Sequence, residues 1–328
     1  MAHSKKILVL GGGGFIGRAL VNKLSTDQSA VIHVADNFSR HNNKHQVFDE
    51  METTGCERSV FDVDLCDPVS FHQFDSSYDE VYLLAAIVGV GISNENPSKV
   101  LEINSKIVVN FGEWLRRCEL KRVVFSSSSE VYAGAVDQGV ASVPTDETVL
   151  LSIQDISHPR FSYAASKIFG EAAIYAYAKD FGFEPLVVRY HNVYGPEMGY
   201  EHVIPHLVNR FSEFPDRFTI YGPEQTRAFC YVTDAVDATS LVMERGVQGE
   251  IYHIGSPVET SIRVLTQMVG DIFGFNGAYD VGEPYPGSVS RRCPDISKLK
   301  GLGFDPRVTL DSGLHRTVAW YRHQAIRT

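Results

Sequence analysis

Four consecutive glycines, Gly11 to Gly14, with Gly17 close behind, stand directly after the apolar run Ile7-Leu-Val-Leu10 and directly before a helical pattern from Phe15 to Leu24. This context restricts the fold more than any other feature of the chain. A buried strand ends, the chain turns tightly on glycine, and a helix starts with its free N–H groups aimed at the turn. Backbone without a Cβ can approach a pyrophosphate closely there, and the helix N-terminus favours the negative charge. A glycine cluster by itself is more often a plain loop; here strand, turn and helix agree. A second apolar run, Val31-Ile-His-Val-Ala35, ends on Asp36, which lies 19 residues past Gly17. That is close to the ~20 residues expected for an acid that holds an adenosine ribose. The segment reads as a dinucleotide-binding turn.

The same alternation continues. Strands are expected over Lys6–Leu10, Val31–Ala35, Ser59–Val63, Glu80–Leu84, Arg122–Ser126 and Pro185–Arg189, with helices near Phe15–Leu24, Pro68–Phe74, Lys99–Cys118 and Tyr163–Phe181. Near-continuous apolar strands separated by helices make a parallel sheet covered on both faces. The expected class is therefore α/β, a Rossmann-type doubly wound sheet whose ligands bind at the carboxyl ends of the strands. After Tyr190 the pattern loosens into Gly- and Pro-rich pieces (Tyr194-Gly-Pro196, Tyr221-Gly-Pro223, Pro284-Tyr-Pro-Gly287) and helices near Val203–Phe211, Asp234–Glu244 and Ile262–Phe273. Residues 1–190 are expected to form the dinucleotide-binding domain, and 191–328 a smaller C-terminal substrate lobe, with the chain crossing between them more than once.

The chain has 328 residues, 44% hydrophobic, enough for a sizeable core. No run approaches the ~20 apolar residues of a membrane span. Met1-Ala-His-Ser-Lys-Lys6 leads straight into the first strand, which leaves no room for a signal peptide. The five cysteines are odd in number and scattered, as in a cytoplasmic protein with reduced thiols. The twelve histidines have no metal-ligand spacing, so no metal is expected. A net charge of −10 argues against nucleic-acid binding, which neutralises many phosphates. It leaves open a small anionic ligand held by a few arginines.

Tyr163-Ala-Ala-Ser-Lys167 opens a helix with a phenol and an ammonium one turn apart on one face. The ammonium should draw the phenol down from its usual ~10 and make it a general base. A surface Tyr and Lys at this spacing is common. Here, however, Ser126-Ser-Ser-Ser-Glu-Val-Tyr132 follows the fifth strand, placing hydroxyls at its carboxyl end. A glycine turn, a serine cluster and Tyr-x-x-x-Lys in this order rarely coincide.

With these residues the chain resembles the extended short-chain dehydrogenase/reductase family, in particular its nucleotide-sugar epimerases, dehydratases and decarboxylases. The resemblance also covers Asp36-Asn-Phe, Asp64-Leu65, Leu84-Ala-Ala86, Arg189-Tyr-His-Asn-Val-Tyr-Gly-Pro196, Thr226-Arg-Ala-Phe229 and Arg292-x-Pro-Asp-Ile-Ser297. It implies NAD, with Gly11, Gly14 and Gly17 at the pyrophosphate and Phe15 and Ile16 also binding the cofactor. Asp36 and Asn37 would serve the adenosine ribose, Asp64 and Leu65 the adenine, and Ala85 and Ala86 the cleft. Asp36 would also repel the 2′-phosphate of NADP, an effect Arg40 could soften. In the reaction so implied, Tyr163 takes the proton of the sugar C4 hydroxyl as C4 gives up hydride. Lys167 tunes Tyr163 and holds the nicotinamide ribose, and Ser128 bonds the C4 oxygen. Asn192 and Arg227 would contact the nucleotide-sugar diphosphate, Arg292 would hold either a uronate carboxylate or the diphosphate, a task Arg291 could share, and Tyr221 would stack on the base. For Asn192 a turn cap, for Arg227 a surface charge and for Tyr221 a core aromatic are the plain alternatives. The resemblance further implies a homodimer built on the helices near Lys99–Cys118 and Tyr163–Phe181.

A 4-keto sugar can be reduced on its other face, lose water, lose CO2 or be released. The family's dehydratases carry Asp-Glu where this chain has Ser129-Glu130. Its decarboxylases carry Ser-Glu and a later Arg, matched by Ser129, Glu130 and Arg292; His158-Pro-Arg-Phe-Ser-Tyr163 resembles some of them too. Against this, Glu197 stands where decarboxylases have Arg, and next to a substrate carboxylate it would be repulsive. Ile87-Val-Gly-Val-Gly91 loosely resembles GDP-mannose-type epimerases. The expectation is a 4-epimerase, with a UDP-glucuronate-type decarboxylase and a ketone-releasing 4-dehydrogenase as alternatives. From a different class, a dinucleotide-binding protein without catalysis is the rival, disfavoured by the joint presence of Tyr163, Lys167 and Ser128.

Overall fold

The computed structural model describes residues 4–40, 56–213, 216–285 and 288–325. Pro286 and Gly287 of one Gly/Pro-rich segment, and Met1 to His3, lie outside the described residues. Six strands carry the first half: β1 (Lys6–Leu10), β2 (Val31–Asp36), β3 (Glu57–Asp62), β4 (Ser77–Leu83), β5 (Glu119–Ser128) and β6 (Glu184–Tyr190). With the later strand Ile251–Ile254 they make one seven-stranded sheet, ordered β3-β2-β1-β4-β5-β6 and then Ile251–Ile254. Every pairing in it is parallel. The order reverses between β1 and β4, the switch point at which such sheets bind ligands.

Alternation along each strand splits the sheet's side chains between two cores. Ile7 and Val9 join Ile32, Val34, Val124 and Val188 on one face. That face is covered by the helix Phe15–Leu24 through Leu20 and Val21 and by the helix Val232–Arg245 through Ala235, Val236 and Val242. Leu8 and Leu10 join Val81, Leu83, Val123 and Phe125 on the other. There the helix Pro97–Leu115 contributes Ile107, Phe111 and Trp114, and the helix Ser162–Phe181 contributes Ile174. Both cores are nearly dry, and burial of this kind is worth about 25 cal/mol per Å² of apolar surface.

A third core lies in the second half of the chain. Ile204, Leu207 and Phe211 of the helix Val203–Ser212 meet Leu265 and Val269 of Ile262–Phe273 and Leu314 and Val318 of Leu310–Ala325. Phe218 and Ile220, on the strand Arg217–Tyr221, complete it. Three features depart from the sequence reading. Pro68–Gln73 is a 3-10 helix, started by Asp67 accepting the Val69 N–H. The helix Leu310–Ala325 and the strand Ile251–Ile254 went unrecognised. The first is polar on average, and the second is a run of only four residues. The helix Val232–Arg245 and that strand add to the large sheet from within the second half of the chain. No helix among the described residues is long and apolar enough to cross a membrane.

Candidate active site

One cavity of about 820 Å³ runs along the carboxyl ends of the strands, from the glycine turn to Arg292. Gly11 adopts φ +90° at the end of β1, and a Cβ there would sit 2.5 Å from the Ala85 nitrogen. A Cβ on Gly17 would sit 2.2 Å from the Gly11 carbonyl oxygen. These two glycines are therefore demanded by the turn and by the close packing of the helix Phe15–Leu24 on it. Gly14 is different: the nearest atom to a Cβ there is 3.5 Å away, and the residue faces the cavity. The space at Gly14 is left for something other than the protein, which is what a pyrophosphate against the helix N-terminus requires.

Phe15, Ile16, Asp36, Asn37, Asp64, Leu65, Ala85 and Ala86 all line the same cavity. Asp36 accepts the Gly13 N–H at 2.9 Å and the Phe38 N–H at 2.8 Å, which fixes its carboxylate beside the turn. Asn37 caps its own loop by accepting the Ser39 N–H at 3.1 Å. Asp64 accepts the Cys66 N–H at 2.9 Å, so its carboxylate serves the local turn. Arg40 donates to the Val88 carbonyl at 2.9 Å, tying the loop after β2 to the loop after β4. Asn104, which carries no sequence signal, holds that second loop: it accepts the Ile87 N–H at 2.7 Å and donates to the Ile87 carbonyl and the Ser166 hydroxyl, each at 3.1 Å.

Tyr163 and Lys167 stand at the start of the helix Ser162–Phe181, against the end of β5. The Ser128 hydroxyl hydrogen-bonds the Tyr163 phenol and also accepts the Glu130 N–H at 3.3 Å. Lys167 is 3% exposed and donates to the Ser126 carbonyl at 2.6 Å, with its nitrogen 5.8 Å from the centre of the Tyr163 ring. Burial draws its ammonium down to about 7, against the pull of Glu171. The expected lowering of the phenol by Lys167 is not met. Burial pushes Tyr163 above its ordinary value; the Ser128 bond and Arg40 pull it down and Glu130 pushes it further up. The cause is the aim of the ammonium, which is turned to the Ser126 carbonyl.

Behind this pair lies a buried ion pair. Arg189 of β6 gives Glu171 two bonds of 2.9 Å, and Ser127 donates to the same carboxylate.

Beyond Tyr163 the cavity becomes strongly charged. Glu130 follows Ser129, which is buried, on the short 3-10 turn after β5. Arg292 donates to Glu130 at 2.8 Å, and Arg160 approaches it at 3.7 Å. Burial pushes the Glu130 carboxyl up, but Arg292, Arg160 and Arg227 outweigh it and hold it below its ordinary value. Arg227 donates to the Thr226 carbonyl at 2.7 Å, and burial together with Arg292 draws it down to about 9. It is a cavity group, not a surface charge. Asn192 takes φ +38°, a region that asparagine tolerates, and donates to the Ala228 carbonyl at 3.1 Å while facing the cavity. Tyr221 is 39% exposed at the mouth, its ring 5.0 Å from that of Tyr285. Glu197 is not among the residues that line the cavity, and its carboxylate is paired with Arg18 at 2.7 Å. Arg160 stands inside the quoted run His158-Pro-Arg-Phe-Ser-Tyr163, but only the fold brings it to Glu130.

Three comparisons place this geometry among known proteins. The chain is 33% identical to a UDP-N-acetyl-alpha-D-glucosaminuronate decarboxylase of Bacillus cytotoxicus, over 97% of this chain and 98% of that protein. The solved UDP-glucose 4-epimerase of Thermotoga maritima, with UDP-glucose, has a TM-score of 0.83 at 28% identity, over 98% of this chain and 99% of that one. The UDP-glucuronic acid 4-epimerase of Bacillus cereus, in complex with UDP-glucuronic acid and NAD, has a TM-score of 0.83 at 25% identity, over 97% and 99%. A family model matches residues 7–255, and the chain belongs to the NAD dependent epimerase/dehydratase family.

Proposed function

We propose that this enzyme uses NAD to oxidise C4 of a nucleotide-linked uronic acid and then releases CO2 from the 4-keto acid. The observation that carries the reading is that Ser128, Tyr163 and Lys167 share one cavity with a Glu130 carboxylate wrapped by Arg160, Arg227 and Arg292. Gly11, Gly14, Phe15, Ile16 and Gly17 hold the cofactor's pyrophosphate, Asp36 and Asn37 its adenosine ribose, Asp64 and Leu65 its adenine, and Ala85 and Ala86 the wall beside it. NAD, when bound, supplies the acceptor for the C4 hydride and a positive charge that favours the phenolate of Tyr163. Tyr163 takes the C4 hydroxyl proton, Ser128 holds the C4 oxygen, and Lys167 holds the nicotinamide ribose. The oxidised sugar is a β-keto acid. Its C5–C6 bond breaks, CO2 leaves, and the electron pair moves onto the C4 oxygen, where Ser128 and Tyr163 stabilise the enolate. Ser129 and Glu130, fixed by Arg292, face C5 and pass it a proton from water, which takes the place of the departed CO2. Arg227, Arg292 and Asn192 take the diphosphate, and Tyr221 the base.

A second reading, 4-epimerisation, is favoured by the two solved 4-epimerases of like fold. In that case the ketone turns over between its formation and its reduction on the other face, and Glu130 only fixes Arg292. Mass spectrometry of products from a panel of nucleotide hexoses and uronates separates the two. Loss of CO2 is expected; an unchanged mass with altered chromatography selects epimerisation, and no change in the reduced-nicotinamide absorbance with any sugar refutes C4 oxidation. We further propose a cytoplasmic homodimer. The free thiols of Cys56, Cys66, Cys118, Cys230 and Cys293 suit a reducing compartment. Leu101, Val109 and Phe169 are exposed on the two helices that would form the interface. Sedimentation velocity tests the dimer.

A further inference from the structure

Between the strand Val193–Tyr194 and the helix Val203–Ser212 the chain runs along the cavity, and Met198, Gly199, Glu201 and His202 line it there. Glu197, at the start of this segment, takes φ +67°. A residue with a Cβ adopts that left-handed region at a cost and keeps it only where its surroundings fix it. The Glu197 carboxylate is fixed on Arg18 at 2.7 Å, with the two side chains 37% and 17% exposed. Arg18 directly follows Gly17 on the helix Phe15–Leu24, and like Glu197 it is not among the residues that line the cavity.

The other end of the segment is tied elsewhere. The Glu201 carboxylate lies against the loop after β4: its Oε2 is 2.5 Å from where a Cβ on Gly89 would sit and 3.1 Å from where one on Gly91 would sit. Gly89 also takes φ +137°. The glycines of Ile87-Val-Gly-Val-Gly91 thus leave room for a carboxylate from the second half of the chain. Tyr163, Asp36 and Glu201 all act on Arg40, which holds the Val88 carbonyl of the same loop. In the middle, Tyr321 of the helix Leu310–Ala325 donates its hydroxyl to the Met198 carbonyl, and the Tyr200 ring packs edge-on against Tyr321 with centroids 5.2 Å apart.

These two ends stand on opposite sides of the switch point. After β1 the chain enters the helix Phe15–Leu24 on one face of the sheet, and after β4 it leads to the helix Pro97–Leu115 on the other. The crevice between such diverging segments is where a dinucleotide lies. A segment tied to both spans it. We propose that residues 197–202 form a strap closed over the NAD cleft, latched by the Glu197–Arg18 ion pair, which must open for the cofactor to enter or leave. Glu197 and Arg18 are positioning residues in this assignment and touch neither cofactor nor substrate. The strap goes beyond both readings of the sugar chemistry: it slows the exchange of NAD whichever way the ketone is used.

The test measures both directions of exchange with NADH as the probe. Entry is followed by stopped-flow fluorescence on mixing NADH with NAD-free protein, and release by chasing bound NADH with excess NAD. In Glu197→Gln and in Arg18→Gln both rates should rise together by about 2- to 5-fold, the range for losing a part-exposed ion pair. The dissociation constant, being their ratio, should change by less than either. The reversed pair, Arg18→Glu with Glu197→Arg, should bring both rates back towards the wild-type values. Residues that merely brace the site would behave otherwise: release would quicken, entry would not, and the dissociation constant would rise with the release rate. That pattern overturns the proposal. So do unchanged rates in both single variants, or a reversed pair as fast as the singles. If Glu197→Gln loses its cooperative melt, Glu197→Asp carries the test: it keeps the charge but falls short of Arg18, and it must raise both rates. No sugar is present, so the outcome is independent of whether CO2 is released.

Discussion

Replacing Arg189 by Met should destabilise the fold by about 3–5 kcal/mol, the usual consequence of removing one side of a buried ion pair. The structure sets this magnitude. Arg189 is 2% exposed and Glu171 is 3% exposed. Two bonds of 2.9 Å join them in a parallel fork, and a third, of 3.1 Å, runs from Arg189 to the Glu147 carbonyl. Without the guanidinium, the Glu171 carboxylate keeps only the Ser127 hydroxyl, and the Glu147 carbonyl loses a donor. An orphaned carbonyl by itself costs about 1–3 kcal/mol, partly overlapping the first figure. Set against a domain stability of about 5–15 kcal/mol, the loss is a large fraction of the whole. The double variant Arg189→Met, Glu171→Leu removes both charges and should regain at least about 2 kcal/mol over Arg189→Met, because two apolar side chains need no partner. Urea midpoints for the wild type, both single variants and the double, compared at constant slope, measure it. A shift below about 1 kcal/mol for Arg189→Met, or a double variant no better than that single, would refute the reasoning. The pair also braces the site, since Glu171 is one turn beyond Lys167 and Ser127 lies in the serine run, so NAD affinity should fall with stability.

Other outcomes follow from the site. Tyr163→Phe should lower turnover by about 10²- to 10⁴-fold while NAD still binds in equilibrium dialysis; wild-type turnover would remove Tyr163 as the base. Gly17→Ala should destabilise the protein, because its Cβ meets the Gly11 carbonyl at 2.2 Å, whereas Gly14→Ala, with nothing nearer than 3.5 Å, should melt like the wild type but gain less from added NAD. Equal behaviour of the two variants would contradict that division. Lys167 is drawn down to about 7 by burial. Its unfolded counterpart keeps a proton to ~10.4, so the unfolded state binds more protons between these values and stability must rise with pH across that window, by up to about 1.4 kcal/mol per unit. Melting midpoints of the NAD-free protein from pH 6 to 9 should show this rise relative to Lys167→Met; parallel profiles would mean that Lys167 does not titrate there.

Much of this was legible in the chain because it is local. The apolar runs and helical patterns gave Lys6–Leu10, Phe15–Leu24 and Ile262–Phe273 with their observed ends. The glycine turn was readable because Gly11 and Gly17 act within a single strand-turn-helix unit. Elements with weak patterns escaped: Ile251–Ile254 is short, and Leu310–Ala325 buries only a narrow stripe. The Tyr163 phenol was misjudged for a related reason. Spacing places Lys167 one turn away but says nothing of the Ser126 carbonyl that claims its ammonium.

The sequence by itself determined the glycine turn, the parallel sheet and the neighbourhood of Tyr163 and Lys167 on one helix, since each depends on residues a few positions apart. Only the tertiary structure decided what surrounds Glu130. Arg292 is 162 positions away from it in the chain and 2.8 Å away in space. The folded chain turns Glu197 to Arg18, and it brings Arg160, Arg227 and Arg292 to one carboxylate. Charge acts through distance and burial, and neither is written in the order of residues.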